Sequence, residues 1–165
     1  MMKQVLAALA VMAATTPAAH ALSCMRSDVA RSFKAAQASE DRYIVVRGEL
    51  QFNTRLMPRG SCVENQMVDC STTISAQFSG KSLGLEGFSN DFVTDVSINI
   101  GCAGPWCGGI ASGHPFVMFM RQSPSGYQLD VGACPTWSFD GRDRETAARV
   151  TSCLRGQDCE PQDQF

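Results

Sequence analysis

The sequence predicts a mainly β protein built as one small antiparallel barrel of five to six strands, with a short helix near each end and disulfide bonds at the barrel rim. Three observations indicate this class. Short β-branched or alternating apolar segments recur between turn residues, glycines occur inside several of these segments, and the chain of 165 residues contains eight cysteines. Internal glycines are typical of strands that bend, which favours a barrel over a sandwich of two sheets.

The first 21 residues have the features of a cleaved secretion signal. Lys3 provides a positive start, an apolar stretch covers residues 5–14, and Ala19-His20-Ala21 is a small-x-small cleavage motif. The apolar stretch is shorter than the roughly 20 residues of a membrane-spanning helix, and no later segment is long and apolar enough. We therefore expect residues 1–21 to be removed before Leu22, and the protein to reach the periplasm or the medium without a membrane span.

An alternative is a lipoprotein in which Cys24 would be acylated and become the new N-terminus. That would leave an odd number of cysteines for pairing, whereas an even number favours ordinary secretion into an oxidising compartment. We expect residues 22–156 to form a single domain and residues 157–165 to be a solvated C-terminal tail.

Composition excludes several classes of function. The chain has 14 basic and 16 acidic residues, and only Lys3 is lost with the signal, so nothing attracts it to nucleic acid or to an anionic membrane. His114 is the only histidine after the signal, which argues against a histidine-rich metal site. No phosphate loop, dinucleotide fingerprint or haem motif occurs. We therefore expect neither a cofactor nor a metal.

Both predicted helices have start or stop signals in the sequence. Ser27 is expected to cap a helix over Asp28–Gln37, and a second helix over Arg144–Leu154 is expected to stop at Gly156.

Turn residues and apolar alternation divide the rest of the chain into strands. Arg42–Phe52 predicts the first strand, with Gly48 as a β-bulge at which it bends. Asn53–Ser71 predicts a loop, and Leu83–Ile100 predicts two strands separated at Ser89-Asn90. The remaining predicted strands are Thr72–Phe78, Phe116–Met120 and Tyr127–Val131.

Four disulfide bonds are expected, although eight cysteines permit 105 complete pairings. Three pairs are close enough in sequence to close locally, which leaves Cys24 to pair with Cys134. A disulfide stabilises the fold by lowering the entropy of the unfolded chain. A loop as long as that closed by Cys24–Cys134 corresponds to about 4–5 kcal/mol of stability, against about 3 kcal/mol for a short loop. The three local pairs are Cys62–Cys70, Cys102–Cys107 and Cys153–Cys159.

Several short motifs between Cys24 and Trp137 together resemble the netrin-like domain of tissue inhibitors of metalloproteinases and their bacterial relatives. These motifs are Ser23-Cys24, a short helix ending near Ala38, Tyr43-Ile44-Val45-Val46-Arg47-Gly48, Cys102, Phe116-Val117-Met118-Phe119, Gly126-Tyr127 and Cys134-Pro135-Thr136-Trp137. The resemblance implies an OB-type barrel whose N-terminal cysteine segment is pinned to barrel loops. It supports pairing of Cys24 with Cys134 or, as second choice, with Cys102.

One departure from that family concerns inhibition. In the animal inhibitors the mature chain begins with a cysteine whose amino group and carbonyl chelate the protease zinc. Here the expected chain begins two residues earlier, at Leu22, and the second cysteine of the usual Cys-x-Cys is absent. The resemblance therefore implies the fold and the scaffold bridge, but not the chelating residues.

A thiol-disulfide redox protein is the leading alternative function. Cys102-Ala103-Gly104-Pro105-Trp106-Cys107 contains the residue types of a thioredoxin-like site, but in another order and with a spacer of four. A redox Cys-x-x-Cys places its first sulfur at a helix N-terminus, and Gly108-Gly109 would break a helix here. Structural bridging is therefore the preferred interpretation, and the lack of a Cys-x₂-Cys knuckle also disfavours a zinc site.

A hydrolase with an unrecognised site at Ser112 and His114 is the third possibility. The surrounding sequence is not Gly-x-Ser-x-Gly, and the two side chains are too close in sequence for good triad geometry. His114 is better interpreted as a hydrogen-bonded residue at the start of a strand. Asp91 and Asp95 lack the spacing of a calcium loop, which makes a solvated face the preferred interpretation.

The function that we expect is that of a secreted or periplasmic binding or inhibitor-like module without chemistry of its own. Trp106 lies on a glycine-rich loop at the expected barrel rim, where it either packs against a disulfide or anchors a protein partner. Leu22 and Ser23, at the expected mature N-terminus, are the other candidate partner-binding residues.

Overall fold

The structure is a computed structural model that describes residues 22–58 and 71–162. Within these residues there are two α-helices, α1 (Val29–Ala38) and α2 (Arg144–Leu154), and one 3-10 turn at Thr54–Leu56. The strands are β1 (Arg42–Gln51), β2 (Thr72–Gly84), β3 (Gly87–Ile100), β4 (Cys102–Ala103), β5 (Trp106–Cys107), β6 (Pro115–Ser123), β7 (Gly126–Val131) and β8 (Ser138–Asp140).

Five of the strands in this part of the chain form a closed ring. The main sheet has the order β1-β2-β3-β7-β6-β8, and β1 also pairs with β6, so that only β8 lies outside the ring. The pairings are antiparallel except for β3 with β7, which is parallel. This ring has the strand number and the non-sequential strand order that an OB-type barrel has. The predicted mainly β class, strand number and flanking helices are confirmed, with one parallel pair as the exception to the antiparallel pattern.

Strand β6 separates two apolar clusters. Met118 and Met120 point into the barrel, where they join a core of fully buried side chains from all the ring strands. Val117 and Phe119 point the other way, into a layer beneath α1 and α2. Burial on both faces explains why the sequence of this strand is a continuous apolar run rather than an alternating one.

The two helices begin at aspartate caps. Asp28, rather than the predicted Ser27, caps α1, because its carboxylate accepts the backbone N–H groups of Ala30 and Arg31 at 2.9 and 3.0 Å. Asp143 caps α2, which has the predicted bounds. Neither helix is long enough to cross a bilayer, and no other helix in the described ranges is.

The predicted bulge at Gly48 is wrong. The register of β1 with β2 and with β6 is continuous through this residue, and Gly48 faces Gly80 across the β1–β2 pair. A Cβ on Gly48 would lie 2.6 Å from the Cα of Gly80 and 2.8 Å from the ring of Phe78. Glycine is therefore needed because two backbones and an aromatic ring approach closely there.

The predicted strand break at Ser89-Asn90 is also wrong. β3 is one strand, Leu83 belongs to β2, and the turn between the two strands lies at residues 85–86. The polar pair instead coincides with a β-bulge, because Ser82 pairs with Asn90 while Leu83 pairs with Phe88.

Residues 157–162 are largely exposed, but they contact both helices. Cys159 is bonded to Cys153 of α2, the Lys34 ammonium binds Glu160 at 2.7 Å, and the Gln162 N–H donates to Asp28 at 3.2 Å. Residues 157–162 therefore lie against both helices. Residues 163–165 are outside the described ranges.

Candidate partner-binding rim

The N-terminal segment is covalently attached to the barrel. Cys24 forms a disulfide with Cys134, which lies 110 positions later between β7 and β8. The neighbouring side chains extend from this attachment into solvent: Met25 is 74% exposed, Leu22 is 37% exposed, and Ser23 is exposed as well. The segment thus combines a covalently fixed backbone with a largely exposed Met25 and a partly exposed Leu22.

The loop that receives Cys24 is held in place from two sides. The Ser32 hydroxyl of α1 donates to the Thr136 carbonyl at 2.6 Å. Trp137 stacks on Tyr43 with ring centroids 4.9 Å apart, and its carbonyl accepts the N–H of Phe119 at 2.9 Å. The position of Cys134 is therefore determined by both the helix and the sheet.

A crevice of about 310 Å³ lies beside the Cys24–Cys134 bridge. Met25 and Pro135 contribute apolar walls, and the basic side chains of Arg26 and Arg31 also line it. Arg31 donates to the Arg26 carbonyl at 3.1 Å, which closes the segment onto α1.

Trp106 lies on a small hairpin formed by β4 and β5. Cys102 and Cys107 are bonded across this hairpin, and Gly104, with a φ of +56°, forms the turn beside the indole. The indole is 42% exposed. A large part of the indole surface is thus in solvent, as the interpretation of Trp106 as a partner anchor requires.

The hairpin is attached to the same stretch of chain as the N-terminal segment. Gly101 N–H donates to the Val131 carbonyl, and Gly108 N–H donates to the Gly101 carbonyl, both at 2.9 Å. A Cβ on Gly108 would overlap the Val131 carbonyl and lie 2.8 Å from the Gly132 carbonyl, so only glycine fits. The hairpin is therefore anchored at residues 131–132, just before Cys134.

The two attachments hold a set of exposed groups, which we call the rim. The rim consists of Leu22, Ser23, Met25 and Trp106. Three of the four are the residues that the sequence predicted as partner-binding. Met25 was missed, and its only sequence signal is a large apolar side chain directly after a bridged cysteine.

The six described cysteines are all bonded, Cys102–Cys107 and Cys153–Cys159 in pairs that local spacing predicts and Cys24–Cys134 as the predicted long-range pair. Cys102 lies in a strand and Cys107 is followed by Gly108 rather than by a helix, so neither sulfur has the helix N-terminus that activates redox thiols. Cys62 and Cys70 are outside the described residues.

Ser112 and His114 have separate hydrogen-bond partners. The Ser112 hydroxyl accepts the Phe52 N–H at 3.1 Å and donates to the Leu50 carbonyl at 3.2 Å. His114 Nε2 lies 3.3 Å from Asp140 Oδ1, and its ring contacts Phe116 edge-on. In the described part of the chain no hydrogen bond joins serine to histidine, so the arrangement ties loops to strands and does not form a triad.

The acidic residues of β3 lie on an exposed face, where one of them is paired with a lysine. Asp91 accepts the Lys81 ammonium at 2.7 Å, which lowers its pKa. No group of three or more candidate ligands occurs among the residues that the structure describes.

No protein-family model, curated protein or solved structure matches this chain.

Proposed function

We propose that this chain is an exported binding or inhibitor-like module, related in architecture to netrin-like domains, that contacts a protein partner through its rim. The observation that carries the proposal is the combination of exposure and fixation. Large apolar side chains stand in solvent on backbone that a disulfide and a network of hydrogen bonds hold in place.

Such a surface favours binding for a physical reason. Association normally loses free energy when mobile segments become ordered, and a segment that is fixed beforehand avoids most of this loss. Tryptophan is also enriched among the residues that dominate interface energetics. The rim thus offers a ready anchor without any need for catalytic groups.

Export is part of the proposal. Disulfides persist in oxidising compartments such as the periplasm and the extracellular medium, and three of them occur in the described residues. Because the Cys24 sulfur is bonded to Cys134, the same sulfur has no valence for a lipid. This favours the cleaved, unlipidated form. The slightly acidic composition favours a protein over a nucleic acid as the partner.

Site-specific photo-crosslinking in the producing cells tests the rim. A photoreactive phenylalanine analogue replaces Trp106 in one protein and Leu56 in a matched control, since Leu56 is also an exposed apolar residue but lies on the 3-10 turn. We expect a discrete adduct of higher mass from position 106 alone. Purified wild-type protein should compete for it, while protein with Trp106→Ala should not.

Equal adducts from both positions, or no adduct from position 106 in cells that retain correctly disulfide-bonded protein, would contradict the proposal. Non-reducing gel mobility of each variant confirms that the scaffold has formed. Activity assays for thiol exchange and ester hydrolysis on the same purified protein address the two alternative functions.

A further inference from the structure

Strand β3 has one edge that is only partly used. β2 pairs with β3 along the whole of Gly87–Ile100, whereas β7 pairs only with Val96–Ile100. Among the described residues, no strand pairs with the remaining part of that second edge. We call Gly87–Asp95 on this side the β3 edge. It is about 30 Å long at the usual rise per residue.

Backbone hydrogen-bonding groups point outward along the β3 edge. The Gly101 N–H, immediately after β3, donates to Val131 at the end of β7. Every second residue of a strand points its N–H and C=O the same way, so Val93 and Asp91 direct theirs to this side as well. Both lie beyond the end of the β7 pairing, and no described group bonds to their outward N–H and C=O. Such groups are a template for another strand.

The side chains along the β3 edge form an acidic–apolar–acidic row. Val93 is 65% exposed, and Asp91 and Asp95 are exposed on either side of it. Residues two apart in a strand share a face, so the three side chains project together. Lys81 neutralises part of the Asp91 charge, whereas Asp95 has no ion-pair partner among the described residues.

The strand that carries this row is held near its centre and at the turn that precedes it. Near its centre Phe92 packs edge-on against Tyr127 of β7, with ring centroids 5.3 Å apart. At the far end Arg155 donates to the Leu85 carbonyl at 2.7 Å, which ties the β2–β3 turn to the end of α2. An incoming strand would therefore meet a preformed template.

We propose that the β3 edge binds an extended segment of a partner protein as an added strand, and that this segment has Lys or Arg at two positions four apart with an apolar residue midway. The two cations would face Asp91 and Asp95, and the apolar residue would face Val93. This surface shares no residue with the rim, so its occupation is independent of the function proposed above.

A second copy of the chain fits this edge poorly. Antiparallel self-pairing centred on Val93 would set Asp91 of one copy opposite Asp95 of the other, and like charges directly opposite one another destabilise a strand pair. Charge complementarity thus selects a basic strand rather than self-association.

The test measures binding of a labelled peptide, Thr-Lys-Thr-Val-Thr-Lys-Thr, to the full mature protein by fluorescence anisotropy. We expect saturable binding. Replacing both lysines by glutamate should abolish it, and so should N-methylation of the lysines and the valine, which removes the edge-facing N–H groups but keeps the charge. Absence of binding by the lysine peptide overturns the proposal. The charged side chains of the edge would then serve only to prevent pairing with other strands, and the edge would bind neither the lysine peptide nor the glutamate peptide.

Matched variants separate the edge from general electrostatic attraction. Asp95→Lys should weaken the lysine peptide roughly three- to tenfold and confer binding of the glutamate peptide. Glu40→Lys changes the net charge equally at an exposed site outside the strands and should leave both peptides unaffected. Val93→Pro, which removes an outward N–H, should abolish binding, while Val93→Thr should retain it. Equal weakening by Glu40→Lys overturns the proposal.

Hydrogen exchange gives a readout that does not depend on affinity. In the free protein the amides of Asp91 and Val93 should exchange quickly and those of Phe92 and Thr94 slowly, and the lysine peptide should protect the first pair. Protection of Asp91 and Val93 without peptide overturns the proposal. Sedimentation of the protein as a dimer that Val93→Pro dissociates also overturns it, because a second copy would then occupy the edge.

Discussion

Asp28 is the residue at which both helices and the C-terminal segment meet. One carboxylate oxygen caps α1 through the N–H groups of Ala30 and Arg31, and the other accepts the Arg149 guanidinium at 3.0 Å and the Gln162 N–H. Only 9% of the residue is exposed. Removing one partner from such a cluster leaves the others buried without a counter-charge, which destabilises more than an exposed pair would.

Stability should therefore depend on the ionisation of Asp28. Burial by itself raises its pKa, but the hydrogen bonds from Arg31, Arg149 and Gln162 together lower the pKa below its ordinary value. A carboxylate with a lower pKa in the folded state stabilises the fold above its unfolded pKa, and this contribution is lost as the pH falls through the folded pKa.

We expect Asp28→Asn to lower the free energy of unfolding by about 1–3 kcal/mol near neutral pH, and the deficit to shrink at pH values below about 4. Urea titrations of both proteins across this pH range measure it. Glu40→Gln serves as the control and should change little. A deficit that is constant with pH would show that the charge of Asp28 contributes nothing.

The facing glycines of β1 and β2 leave no room for a side chain. Gly48→Ala should destabilise the protein by about 1–3 kcal/mol, because the added methyl would be forced against Gly80 and Phe78 in a well-packed barrel. Gly109→Ala is the matched control, since no atom lies within 4 Å of its added Cβ and its φ is not positive. Thermal unfolding of the two variants compares them, and equal midpoints would contradict the close approach.

For the helices and strands, local signals in the sequence decide what can be predicted. The bounds of α2 follow from its sequence because its face, its cap and Gly156 lie within the helix or beside it. β8 was not predicted, because its three residues form a strand only through pairing with β6, whose partner residues Phe116–Met118 lie far earlier in the chain. The β2–β3 turn was misplaced because Ser89-Asn90 signals an irregularity, and a bulge satisfies that signal as well as a turn does.

The bridge between the N-terminal segment and the barrel should contribute more than the local bridges. The Cys24–Cys134 bond closes 110 positions, which corresponds to about 4–5 kcal/mol of lost entropy in the unfolded chain, against about 2–3 kcal/mol for the short Cys102–Cys107 loop. We expect Cys24→Ser with Cys134→Ser to lower the guanidinium midpoint more than Cys102→Ser with Cys107→Ser. The reverse order would contradict this entropy argument.

For the whole molecule, the fold was more predictable than the site. Apolar patterning and internal glycines indicate the number of strands and their closure, because each strand must bury a face against the others. The parallel β3–β7 pair leaves no local signal, since its register depends on contacts between distant segments. The rim was predicted only in part, because the exposure of Met25 is a property of the folded surface. The β3 edge was not predicted, because its unpaired length depends on where β7 ends.

Export and bridging together predict the covalent state of the mature protein. Mass spectrometry of the exported protein, intact and after proteolysis without reduction, should find Leu22 as the first residue and a peptide in which Cys24 is joined to Cys134. Each disulfide lowers the mass by two hydrogen atoms, and we expect four disulfides, including the Cys62–Cys70 pair outside the described residues.

A lipid on Cys24 would overturn both the export route and the attachment of the rim. A Cys102 or Cys107 that is alkylated without reductant would instead support thiol chemistry at the hairpin, because a permanently bridged pair offers no thiolate.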